Sequence, residues 1–186
     1  MPRTTIAGPH YDGLHVSREQ YLDLADDGYQ YDVVEGVMRM SPSPDFEHND
    51  LNLSFGVLLK IYLKKNPIGK CAIETDVFLP DGGDPLRPDL SFILNEKLRI
   101  VQKHIHGAPD LVCEVLSPTT RKRDLGVKAD RYLKNGVLEY WILDPENQSI
   151  SVWKNQGNQS WNQESADVLQ SVLLPGFAVQ KIEFFG

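Results

Sequence analysis

The chain has 186 residues, 41% hydrophobic and 24% charged, which suits one soluble domain with a sizeable core. Its net charge of -7 argues against a surface coated in positive charge for unspecific nucleic-acid binding. No apolar run approaches the ~20 residues that span a bilayer, and Met1-Pro2-Arg3-Thr4-Thr5 lacks the apolar core of a secretory signal. The expectation is a cytoplasmic protein with no membrane partner. Cys71 and Cys113 have no metal-type spacing and read as reduced core thiols.

Residues 1–16 show little periodicity and read as a loosely held arm before a single domain over 17–186. Ser17 is an N-cap, with Gln20 completing a capping box, and the helix it opens is expected to end near Asp27-Gly28. Residues 31–40 read as a hairpin turning at Glu35-Gly36. Ser43-Pro44 is expected to open a long helix. There His48, Leu51, Phe55, Leu58 and Tyr62 share one face, and Pro67 stops it.

Strands follow at about 71–79, 88–94 and 110–116. A helix at about 121–135 comes next, with Leu125, Lys128/Ala129, Tyr132 and Leu133 inward and Asn135-Gly136 at its end. Strands at 138–144 and 149–153, a polar loop at 154–165, and two terminal strands at 168–174 and 177–185 complete the chain. The reading is an α/β or α+β domain. A central mixed sheet is flanked by helices, after an N-terminal helix-hairpin-helix segment.

Arg87-Pro88-Asp89 and, 25 residues on, Glu114 carry most of the chemistry. Alternation puts Val112, Glu114 and Leu116 on one strand face and Leu111, Cys113 and Val115 on the other, so the strand is buried on both sides. A carboxylate there must be paired, protonated or metal-bound. Asp89 on a second strand brings another carboxylate beside it, and two convergent oxygen donors suit a hard divalent cation. The backbone carbonyl of Val115 adds a neutral third ligand. Read more plainly, Asp89 is a capping or loop acid, and Glu114 is paired with Lys128.

Lys128, on the inward stripe of its helix, can polarise a water and stabilise negative charge. Its plain alternative is an intrahelical pair with Asp124. His48 is either a satisfied core histidine or a group that bonds a phosphate or orients a water. Asp32 and Glu35 are hairpin acids, each weak alone. Between residues 121 and 134 six basic residues, Arg121, Arg123 and Arg131 among them, form either a solvated face or a guide for a nucleic-acid backbone. No P-loop, dinucleotide glycine motif, zinc-type Cys/His cluster or nucleophile elbow is present.

In combination these elements resemble a known family. They are the hairpin 31–36, Ser41-Pro42 followed by His48, Arg87-Pro88-Asp89, and Pro109-Asp110-Leu111-Val112 leading into Glu114-Val115-Leu116-Ser117-Pro118. Asp124 with Lys128 and Tyr132, and Gly136-Val137 before Glu139-Tyr140-Trp141, complete the set. The chain resembles the Uma-two family of restriction-endonuclease-like proteins in the PD-(D/E)xK nuclease superfamily, from about residue 17 to Phe185.

The resemblance implies a restriction-endonuclease-like fold and Mg²⁺-dependent cleavage of DNA, with Mn²⁺ as a substitute. Asp89 and Glu114 would be the metal-binding acids. The lysine usual two residues after the second acid is absent, since position 116 is Leu, and Lys128 is the candidate replacement. The family hairpin acid falls at Asp32 or Glu35. A homodimer contact through the terminal strands and Phe184-Phe185 is one use of those apolar residues; covering the core is the other. The rival reading is an inactive nuclease-fold binding or assembly protein.

Overall fold

A computed structural model describes residues 9–41, 43–157 and 160–186. Residues 1–8 of the expected arm, and Pro42, lie outside the described residues. The rest of that arm is tied to the hairpin: Gly13 and Val16 donate backbone hydrogen bonds to Met38 and Gly36, and Leu14 accepts one from Met38.

Helix α1 (Arg18–Asp23) starts at the Ser17 capping box read from the sequence. It stops at Asp23 rather than near Gly28, because Leu24 is extended. Asp27 instead accepts hydrogen bonds from the Tyr31 hydroxyl and the His10 backbone. Arg18 anchors α1 by donating to the carbonyl of Leu79. Ser17→Ala is expected to weaken α1 by about 1 kcal/mol, read as faster amide exchange of its first turn.

Strands β1 (Tyr31–Val34) and β2 (Val37–Met40) form the expected hairpin. Glu35 and Gly36 turn it with φ of 52° and 74°, as a two-residue type I′ turn requires. Tyr31, Val33 and Met38 bury one face, leaving Asp32 on the other.

Helix α2 (Phe46–Lys65) begins at Asp45, not at Ser43-Pro44; the Asp45 carboxylate accepts from the His48 backbone N–H. Its fully inward residues are Leu51, Asn52, Phe55, Leu59 and Leu63, while Leu58 and Tyr62 pack at the margin. The stripe thus sits one residue further round than the sequence pattern gave.

The expected strand 71–79 is two strands. β3 (Gly69–Ile73) ends where Glu74 takes a φ of 45°, and β4 (Val77–Phe78) pairs in parallel with β6 (Ile105–His106) in a separate small sheet. β5 (Leu90–Leu94) and β7 (Leu111–Val115) are antiparallel; β7 and β8 (Glu139–Asp144) are parallel. A parallel pair needs a crossover, and residues 121–134 supply it. This is a helix in three parts: α3 (Arg121–Arg123), a π-helical turn (Asp124–Lys128) and α4 (Ala129–Lys134).

β9 (Ser149–Asn155) and β10 (Trp161–Ser165) extend the sheet to the order β10-β9-β8-β7-β5-β3. Part of the expected polar loop 154–165 is therefore strand. The terminal pair shrinks to β11 (Val168–Gln170) and β12 (Ala178–Gln180), and Phe184 and Phe185 lie in a short helix, α5 (Ile182–Phe185).

The sheet separates two cores, α2 covering one face and the crossover helix the other. Leu111, Cys113 and Val115 belong to the first core; Val112 and Leu116 belong to the second, with Ala129 and Tyr132. This is the two-sided burial expected for the Glu114 strand. Phe184 and Phe185 pack against the first core. Among the described residues no helix is long and apolar enough to cross a membrane.

Candidate active site

The antiparallel register of β5 and β7 pairs Leu90 with Cys113. One step further, the same register sets Asp89 opposite Glu114. Leu90 and Phe92 enter the first core and Ile93 the second, so alternation places Asp89 on the face that carries Glu114. The two acids from separate β segments thus reach one cleft.

Asp89 is held from every side. Its Oδ2 accepts from the Val115 backbone N–H at 2.6 Å, and His48 Nε2 lies 3.2 Å from Oδ1. Its backbone carbonyl accepts from Glu74 N and from Asn52 Nδ2. Burial pulls the His48 pKa down, but the hydrogen bond and charge of Asp89, with Asp45 and Glu74, outweigh it and leave the imidazole pKa raised. Asn52, which the sequence pattern did not single out, is the side chain that holds the Asp89 carbonyl. Its position four after His48, on the same helix face, was the available signal.

Glu114 is 2% exposed and Lys128 4%. Lys128 Nζ donates to Glu114 Oε1 at 2.7 Å, and the Tyr132 hydroxyl donates to the same oxygen at 3.0 Å. Oε2 receives no described hydrogen bond. Asp124 Oδ1 lies 3.0 Å from Nζ of Lys128, without the angle of a hydrogen bond and without another partner.

Burial raises the Glu114 pKa most; Lys128 pulls it back, Asp124 and Asp89 push it up again, and it settles at about 8. Burial would lower Lys128, but Glu114, Asp124 and Asp89 outweigh it, so its pKa is raised and the ammonium stays charged. The Glu114 shift thus comes first from burial and is reinforced by Asp124 and Asp89, whereas the Lys128 shift comes from the carboxylates clustered about its ammonium. The π-helical turn contributes to this. Asp124 and Lys128, its first and last residues, both point inward, while Leu125, expected inside, is turned out to 36% exposure.

The cleft measures about 340 Å³, within the range of small-molecule sites. Asp89, Glu114, Val115, Lys128, His48 and Asp32 all line it. Glu35 does not; it occupies the exposed hairpin turn, so Asp32 is the hairpin acid that reaches the cleft. Of the three basic candidates only Arg123 lines the cleft, 2.8 Å from Asp32. Arg121 is bound by Asp144 and Glu146, and Arg131 by Asp81. The Arg87 guanidinium, also in the wall, is held by Asp76 and lies 3.2 Å from the Tyr21 hydroxyl.

Among the described residues no three His, Cys, Asp or Glu side chains form a metal cage. A Mg²⁺ ion needs none, since it keeps several waters and takes one or two carboxylates. The acidic cluster, the Glu114 Oε2 without a described hydrogen bond and the Asp124 Oδ1 approached by the Lys128 ammonium alone fit such a hydrated hard cation better than a cage-bound zinc or calcium.

The fold, a six-stranded mixed sheet with one β-helix-β crossover, is that of a nuclease-like solved structure. A crystal structure of a "putative nuclease belonging to DUF820" from Anabaena variabilis has this fold, with a TM-score of 0.76 and 19% identity over 91% of this chain and 97% of that one. The chain belongs to the Uma2 family, whose model, described as "Putative restriction endonuclease", matches residues 18–182. Restriction-endonuclease-like families generally use divalent metal ions, and the membership supports a nuclease, a hydrolase acting on nucleic acid. Among curated proteins none matches this chain.

Proposed function

We propose that the chain is a Mg²⁺-dependent endonuclease that hydrolyses phosphodiester bonds in DNA. The observation that carries this is the meeting of Asp89 and Glu114 in one cleft beside the Lys128 ammonium, with Asp124 3.0 Å from the same amine.

Asp89, Glu114 and the Val115 carbonyl would hold the ion. When bound, such an ion adds positive charge at the phosphate and makes a coordinated water more acidic. His48 keeps a proton on Nε2 and orients Asp89 through it. Lys128, fixed between Glu114 and Asp124, presents an ammonium that can orient the attacking water and offset charge on the phosphoryl oxygens. Asp32 holds Arg123 against the cleft wall, where it can meet a DNA phosphate. Arg121 and Arg131 would reach DNA only by leaving Asp144 and Asp81.

Supercoiled plasmid incubated with Mg²⁺ or Mn²⁺ is expected to be nicked or linearised. Asp89→Ala and Glu114→Gln are each expected to slow this by about 10²-fold or more. Cleavage that survives both substitutions removes these acids from the mechanism.

A second reading has its own support. Both Asp89 oxygens are already hydrogen-bonded, and Leu116 stands where a catalytic lysine would serve. An inactive nuclease-fold binding protein would show no heat of Mg²⁺ or Mn²⁺ binding at millimolar metal and no cleavage.

A further inference from the structure

One face of α2 is apolar and bare. Leu53, Val57 and Ile61 are 63%, 46% and 54% exposed. Their four-residue spacing makes them a single stripe opposite the buried one. The stripe borders a groove whose far wall is β3, the edge strand of the sheet, including Ile73 at 57% exposure. Contiguous apolar surface of this kind marks an interaction site.

The charges beside the stripe say what covers it. Asp50 lies on the same helix face at the N-terminal end, and Lys64 lies on it at the C-terminal end. Both are exposed, and neither has a salt-bridge partner among the described residues. Counted from Val57, Leu53 and Ile61 are equidistant, and so are Asp50 and Lys64. A second α2 laid antiparallel across the stripe therefore sets Val57 on Val57, Leu53 on Ile61, and each Asp50 on a Lys64. A parallel pairing would oppose like charges. This is the self-complementarity a two-fold interface demands.

We infer that the chain forms a two-fold homodimer through the exposed face of α2, centred on Val57, with Asp50 and Lys64 pairing across it. The contact does not run through the terminal residues. Nor does it extend the sheet, because Lys60 Nζ donates to the Cys71 carbonyl at 3.0 Å and covers that edge of β3. Since α2 delivers His48 to each cleft from near its N-terminus, the antiparallel arrangement sets the two histidines about 27 Å apart along the helix axis. The inference does not depend on the chain being a nuclease.

Sedimentation velocity on the full chain tests it. The expected result is a concentration-dependent shift from 21.0 kDa toward twice that mass. Val57→Arg should abolish the shift while leaving circular dichroism unchanged, since the side chain is exposed. Asp50→Lys and Lys64→Asp should each weaken association about tenfold, and the double exchange should restore it. A chain that stays monomeric at several hundred micromolar, as it would if another protein covers the stripe, overturns the inference. So does a dimer indifferent to Val57→Arg, or one that the double exchange fails to restore.

Discussion

Lys128→Met is expected to destabilise the protein by about 3–5 kcal/mol at pH 8, whereas Glu114→Gln should change the stability of the metal-free protein by less than about 1 kcal/mol. Both would be read from urea unfolding without divalent ions. The lysine is the ammonium among Glu114, Asp124 and Asp89, and removing it leaves buried Glu114 and Asp124 without their ion-pair partner. Glutamine at 114 keeps an oxygen for the Lys128 and Tyr132 donors and removes one charge from a cluster that has too many.

A purely structural Glu114–Lys128 pair predicts the opposite symmetry, since breaking such a pair from either side leaves one unpaired buried charge. Equal large losses in the two variants would therefore count against a cation-binding role for Glu114. A large loss in the lysine variant alone, together with loss of cleavage in the glutamine variant, separates the chemistry from the folding. At pH 5 the penalty in Lys128→Met should shrink, because Glu114 then carries its proton.

The sequence made the β elements around the site legible because their periodicity is unambiguous. Leu111 to Leu116 alternates between two apolar faces, and the structure places those faces in two different cores. The hairpin at Glu35-Gly36 was equally plain, since few dipeptides tolerate two positive φ values. The helices were less legible where capping and twist decide the outcome. Asp45 outcompeted Ser43 as the cap, and the π-helical turn rotated Leu125 outward while keeping both Asp124 and Lys128 in. An α-helical period has no way to announce such a turn.

The break at Glu74 was hidden because residues 71–79 contain no proline or glycine, the first being Pro80. What makes the site asymmetric also lies outside sequence periodicity: Asn52 on the Asp89 carbonyl and Asp32 on Arg123 are contacts across 37 and 91 residues. The basic segment shows the same limit. Its positive charge is real, but Asp144, Glu146 and Asp81, distant in sequence, hold two of its arginines.

Between about pH 4.5 and 8 the metal-free protein is expected to lose stability as pH rises, and millimolar Mg²⁺ is expected to restore much of it at pH 8. Glu114 is an acid whose folded pKa, about 8, stands above its unfolded value near 4.5. The folded state thus holds a proton that the unfolded chain has released. Its stabilising effect is complete below the unfolded value and lost as pH climbs through 8, a change of roughly 3–5 kcal/mol. His48, also raised, acts in the same direction above pH 6.5; His104, lowered by burial, opposes both. Asp81, held near 2 by Arg131, has the reverse sign and matters only in acid, where its protonation ends the benefit of the pair.

A cation bound at Glu114 must displace that proton, so Mg²⁺ affinity should rise with pH up to about 8 and then level off. Titration calorimetry in two buffers of different ionisation enthalpy reads the proton release directly. At pH 7 it should approach one proton per ion bound and fall toward zero in Glu114→Gln. Mg²⁺ binding with no proton release at pH 7, or stability that rises through this window, would show that Glu114 is ionised in the metal-free fold and that the surplus charge is neutralised some other way.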